Sequence, residues 1–148
     1  MKYEFIAPMP KTEFTAFLER LPHCNFMQKP QWAQVKNAWQ SVLCGVRHEG
    51  ETVAVAHLLI RRLPTGQKLI YCPRGPMLDY SDGELLAYFT EQLCSFARKD
   101  GAYMVRIDPE IVLSTLYKGE RVEMPDGSRA LERLSSLGWK HMGFATDF

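Results

Sequence analysis

Arg74 is the one charge in Cys72-Pro73-Arg74-Gly75-Pro76. A guanidinium fixed there can clasp a carboxylate or phosphate with two parallel N–H donors, and Gly75 beside it lets backbone or ligand approach closely. The flanking prolines stiffen the loop and fix one direction for the arginine. The same residues equally suit an arginine that braces the loop through carbonyls, Asp79 or Asp108. Asp108, in Ile107-Asp108-Pro109, is the acid best placed at a strand end. It can take a proton as a general base, or accept backbone N–H groups in a strand-ending turn. Tyr71 and Tyr103 complete this constellation, Tyr103 as a ligand contact or as packing. Upstream, Lys36 falls four residues after Trp32, which puts both on one helical face with Trp39 nearby. That spacing fits a solvated lysine between two packing tryptophans as well as a ligand contact.

These side chains need elements to hold them. "KYEFIA" reads as a short strand, and "KTEFTAFLERL" puts Phe14, Phe17, Leu18 and Leu21 on one helical face with Thr12 as N-cap. "KPQWAQVKNAW" reads as a short amphipathic helix opened by Pro30. Three apolar, β-branched runs follow, joined by Glu49-Gly50-Glu51 and Pro64-Thr65-Gly66, so residues 41–72 form an antiparallel meander. Ser81, with Glu84 three residues on, signals the N-terminus of a long helix that buries Leu85, Leu86, Phe89, Leu93 and Phe96 and stops at Gly101. "AYMVRIDPE" is the next strand, with Met104, Arg106 and Asp108 on one face. "SRALERLSSLGW" is a further helix, and "KHMGFA" a last short strand.

Composition narrows the function classes. At 148 residues the chain suits a single domain, 1–148, burying about 70% of its unfolded surface. Its net charge of +1 supplies no whole-molecule field for a polyanion. Basic groups such as Arg61-Arg62, Arg98-Lys99 and Lys118 to Arg121 read first as solvated faces, with contact to an RNA backbone as the alternative. No apolar stretch reaches the roughly 18–20 residues of a membrane span, and the N-terminus lacks a signal-peptide core, so the chain reads as cytoplasmic. Cys24, Cys44, Cys72 and Cys94 form no C-x-x-C pair, and the four histidines show no H-x-x-x-H or H-E-x-x-H spacing. No metal site and no cofactor is expected. His57, in Ala54-Val55-Ala56-His57-Leu58, reads as a satisfied core histidine.

The order of helix, helix, three antiparallel strands, long helix, strand, helix, strand matches the α/β (α+β) fold of the GCN5-related N-acetyltransferases, a mixed, mostly antiparallel sheet flanked by helices. Enzymes of that fold cradle the coenzyme A pyrophosphate in a glycine-rich turn after the central strand. Here that turn is "PRGPMLDYSDGE", where Pro73 and Pro76 remove two N–H donors.

Three strings, "FMQKPQWAQVKNAW", "VAVAHLLIRRLPTGQKLIYCPRGPMLDYSD" and "GAYMVRIDPE", resemble the Fem family of peptidoglycan bridge-forming peptidyltransferases. The resemblance runs over roughly residues 22–148. It implies transfer of an amino acid from aminoacyl-tRNA to the side-chain amine of the stem peptide in a nucleotide- or lipid-linked muramyl pentapeptide. By the same resemblance, Lys36 meets a phosphate of that precursor; beside it, the residues themselves make Trp39, Tyr71, Arg74, Gly75 and Tyr103 the substrate-contact candidates and Asp108 the catalytic candidate. Family members carry two acyltransferase-like domains, and this chain matches the first. A missing second domain or a homodimer partner is therefore expected to complete the cleft, and the chain alone is expected to be inactive. Two alternatives stand beside this reading: an acyl-coenzyme-A-dependent N-acyltransferase, and a non-catalytic binding or dimerisation module.

Overall fold

The computed structural model describes residues 2–143. Strand β1 (Tyr3–Ile6) and helix α1 (Lys11–Glu19) are followed by a 3-10 turn (Phe26–Gln28) and a single-turn helix α2 (Trp32–Val35). Strands β2 (Gln40–His48), β3 (Glu51–Arg62) and β4 (Lys68–Cys72) then form the expected meander. Helix α3 (Gly83–Asp100) crosses over to β5 (Ala102–Ile107). A hairpin of β6 (Ser114–Tyr117) and β7 (Glu120–Glu123) precedes helix α4 (Pro125–Ser136).

The main sheet runs β1-β2-β3-β4-β5, and its one parallel pair is β4 with β5. Parallel neighbours need a crossover, and α3 supplies it. One sheet face, with Cys44, Val46, Ala56, Leu58, Ile60, Ile70 and Cys72, packs on Leu85, Phe89 and Leu93 of α3. That helix keeps the spacing expected for one apolar side. On the opposite face, α1 covers Val55 with Phe14, Phe17 and Leu18. Tyr71 and Arg106, which stand side by side in register, lie beyond α1 on this second face. Among the described residues, no helix is long and apolar enough to cross a membrane.

Several local expectations are corrected. The capping residue of α3 is Asp82, whose carboxylate accepts the Leu85 N–H at 3.0 Å. Ser81 instead donates its hydroxyl to Asp79 at 2.6 Å. An ionised cap satisfies an orphan donor and also meets the positive end of the helix, so Asp wins over Ser. Helix α1 starts at Lys11 after Pro10, without a side-chain cap, so Thr12 lies inside it. The helix expected through Trp39 stops at Val35, and none of its four residues is buried. Val35 is 64% exposed, and so short a helix has no packing to propagate it. The β6–β7 hairpin was not anticipated. Its turn places Lys118 and Gly119 at φ +50° and +81°, the left-handed pair a two-residue hairpin requires. Residues 140–143 of the expected last strand are irregular, and the rest of it lies outside the described residues.

Candidate functional site

The Cys72-to-Pro76 elbow leaves the sheet between β3 and β5, and a side chain holds it on each side. Asp108, just past β5, accepts the Tyr71 hydroxyl on Oδ2 at 2.6 Å and the Arg74 backbone N–H on Oδ1. The Arg74 Nη1 lies 3.9 Å from Oδ2, with the two side chains 14% and 12% exposed. Arg74 adopts φ +57°, a left-handed conformation that costs a non-glycine residue about 1–3 kcal/mol. The carboxylate that takes its N–H offsets that cost. Burial first, and then the Asp108 carboxylate, push the Tyr71 phenol well above its ordinary value. It is a neutral donor to Asp108 throughout the physiological range.

On the other side the bridge is Gln28, which is fully buried. Its Oε1 accepts the His57 N–H at 3.0 Å, and its Nε2 donates to the Pro73 carbonyl. The last β3–β4 pair on this side is Leu59 with Tyr71, so His57 and Pro73 are the next same-face positions across the widening gap. A side-chain amide thus stands in for the ladder where the two strands part. It also explains Gly75, where an added Cβ would lie 2.7 Å from the Gln28 Cδ. Gly75 is buried against protein, and the close approach it permits is that of Gln28.

An aromatic and cationic strip extends from this bracket across the second face. The Trp39 and Tyr71 rings lie 6.5 Å apart. Arg61 stands over Trp39 at 5.7 Å and Arg106 over Tyr71 at 5.8 Å, distances at which a guanidinium is attracted to a ring face. Lys36 caps α2 and places Nζ 5.7 Å from the Trp32 ring. Tyr71, Arg74, Gly75 and Asp108 are therefore assembled at one elbow, with Trp39 joined to them through Tyr71. Lys36 sits with Trp32, and its backbone carbonyl accepts the Trp39 N–H at 2.9 Å. Tyr103 stands apart. It is 51% exposed and lines a groove with Thr90, Ala97 and Trp139, between β5, α3 and the end of α4.

Gln28 was not singled out from the sequence. A glutamine in an irregular stretch carries no periodic signal, and its role depends on where two strands separate. The four cysteines are free thiols, and burial pushes the Cys44 thiol up to about 12. Cys44 and Cys72 are fully buried, whereas Cys94 and Cys24 are partly buried.

A sequence model of the FemAB family matches residues 9–148. Over 135 residues the chain is 33% identical to the lipid II:glycine glycyltransferase of Staphylococcus aureus, covering 89% of this chain and 30% of that protein. The crystal structure of FemX superposes with a TM-score of 0.77 at 30% identity, over 98% of this chain and 33% of that one. An acetyltransferase of Trypanosoma brucei gives a TM-score of 0.63 at 16% identity over 99% of both chains, which shows the shared fold alone. The chain is thus similar to whole acetyltransferases in architecture, yet spans about a third of the length of the relatives it matches in sequence.

Proposed function

The chain belongs to the FemAB family, and we propose that it forms the first acyltransferase-like part of a peptidoglycan bridge-forming aminoacyltransferase. In this reading the donor is an aminoacyl-tRNA, and the acceptor is the stem-peptide amine of a nucleotide- or lipid-linked muramyl pentapeptide. A second transferase-like part, on the same or another chain, completes the cleft, and this part alone does not turn over.

The observation that carries the reading is the bracketed elbow. A coenzyme A cradle needs several free N–H groups after the central strand. Here Pro73 and Pro76 have none, and the Arg74 N–H is held by Asp108. What the elbow offers is a guanidinium beside an aromatic strip, which suits an anionic, partly apolar ligand better than a pyrophosphate alone. Lys36 and Arg74 then serve as the phosphate or carboxylate contacts, Trp39 and Tyr71 as the ring surfaces, and Tyr103 as an outlying contact. Asp108 acts through Tyr71 and Arg74. An aminoacyl ester is already activated, so positioning supplies much of the catalysis.

The reading is tested by thermal shift with a nucleotide-linked muramyl pentapeptide and, separately, acetyl coenzyme A. Stabilisation by the precursor and none by the thioester is expected. Stabilisation by acetyl coenzyme A alone would favour an ordinary N-acyltransferase.

A further inference from the structure

Ser41 shares the strip's sheet face and is one residue removed from Trp39 by way of Gln40. It is exposed, and it pairs in register with Leu59, whose other neighbour is Tyr71. Its Oγ lies 2.7 Å from the Nε2 of His57. His57 is fully buried, packed edge-on against Phe14 at 6.5 Å. A fully buried histidine joined to an exposed hydroxyl is an unusual use of a core position, because burying the ring costs free energy that an aliphatic side chain would not.

The direction of that hydrogen bond follows from the ring's surroundings. The Nδ1 of His57 is buried and closes no hydrogen bond among the described residues. Backbone acceptors of Met27, Gln28 and Lys29 are the polar groups about the ring, besides the hydroxyl at Nε2. A bare nitrogen lone pair among carbonyl oxygens would be repelled, so we assign the proton to Nδ1 and the acceptor role to Nε2. Burial holds the imidazole below its ordinary value, which keeps it neutral. Ser41 must then donate its one hydrogen to Nε2, and both lone pairs of Oγ are left for a donor from outside.

We propose that Ser41 is a substrate-binding residue whose oxygen, with its own proton committed to His57, accepts an N–H of the attacking stem-peptide amine. The proposal rests on the precursor-binding reading above and deepens it. Asp108 is the competing acceptor on this face, and its two oxygens already hold the Tyr71 hydroxyl and the Arg74 N–H. Ser41 and Tyr71 are two strands apart, about 10 Å at the usual strand spacing, a distance that three extended residues cross. A stem peptide anchored on the Tyr71 ring therefore reaches Ser41 with its side-chain amine. His57 is a positioning residue in this arrangement.

The test is a coupling cycle by calorimetric titration. Wild type, Ser41→Ala and Ser41→Thr are each titrated with the nucleotide-linked muramyl pentapeptide and with its analogue in which norleucine replaces the amine-bearing residue. Wild type should bind the amine-bearing precursor roughly tenfold tighter than Ser41→Ala does, the scale of one hydrogen bond to a charged group. The norleucine precursor should bind both equally, and Ser41→Thr should restore the difference. If Ser41→Ala weakens both precursors alike, or neither, the proposal is overturned while the precursor-binding reading stands. Failure of wild type to bind either precursor would overturn both. In the unliganded chain, nitrogen-15 chemical shifts of His57 should show the Nδ1–H tautomer, and an Nε2–H tautomer would overturn the proposal by itself.

Discussion

His57 and Pro73 face each other across the gap where β3 and β4 separate, and the side-chain amide of Gln28 joins the N–H of the first to the carbonyl of the second. Two strands that must part, so that the elbow can turn toward α3, thereby keep their inner backbone groups satisfied. The mirror position is Asp108, which holds the Arg74 N–H on the β5 side. A polar side chain thus braces the elbow on each side of the split.

Replacing Gln28 with Leu keeps the volume and removes both bonds. The His57 N–H and the Pro73 carbonyl are then buried without partners, which costs about 1–3 kcal/mol for each group left unsatisfied. Urea denaturation should show a midpoint lowered accordingly. A midpoint equal to wild type would mean that the amide does not bridge the strands.

Gly75→Ala should destabilise by about 1–3 kcal/mol through overpacking against Gln28. The combination with Gln28→Ala should cost less than the sum of the two single changes, because the shortened side chain vacates the space that the new methyl needs. Additive costs would place the clash elsewhere.

Asp108→Asn leaves one carbonyl oxygen where two carboxylate oxygens now accept, so either the Tyr71 hydroxyl or the Arg74 N–H loses its partner. The expected loss is about 1–3 kcal/mol, again read by urea denaturation. Binding of the muramyl precursor should weaken in parallel, since Tyr71 and Arg74 depend on this carboxylate for position. A variant with wild-type stability and affinity would remove Asp108 from the site.

Glu13 on α1 accepts from Arg47 at 2.9 and 2.6 Å and from the Thr52 hydroxyl at 2.8 Å. The hydrogen bonds from Arg47 hold its carboxyl below the usual range. A carboxyl lowered in the folded state adds stability that is fully present above its unfolded value, about 4.3 for Glu, and is lost as pH falls through the folded value. Glu13→Gln should therefore reduce stability at pH 7 while losing less than wild type does on acidification to pH 3. Parallel curves for the two proteins would contradict this.

Much of the fold was legible in the sequence because its signals are local. The meander follows from two turn sequences between β-branched runs, and α3 follows from its apolar spacing and the glycine that ends it, at φ +77°. The misplaced cap shows the limit of such signals, since Ser81 and Asp82 both qualify and only the loop's own hydrogen bonds decide between them. The geometry of the candidate site was legible in part. Arg74 and Asp108 stand out as charges at strand ends, and the structure brings them together with Tyr71. Gln28 and Ser41 were missed because their significance lies in what they face across strands, which spacing along the chain does not encode. Tyr103 has the same residue type as Tyr71, yet its side of β5 turns it toward a different groove.

The central claim is that the elbow and the strip beside it bind a muramyl peptide precursor. Titrating the isotopically labelled chain with the nucleotide-linked muramyl pentapeptide, and following backbone amide and indole resonances, tests it most directly. The largest shifts are expected at the Trp39 indole and at the amides of Lys36, Ser41, Tyr71 and Arg74, with Tyr103 changing less. Shifts confined to the groove around Tyr103 and Trp139, or none at saturating precursor, would contradict it.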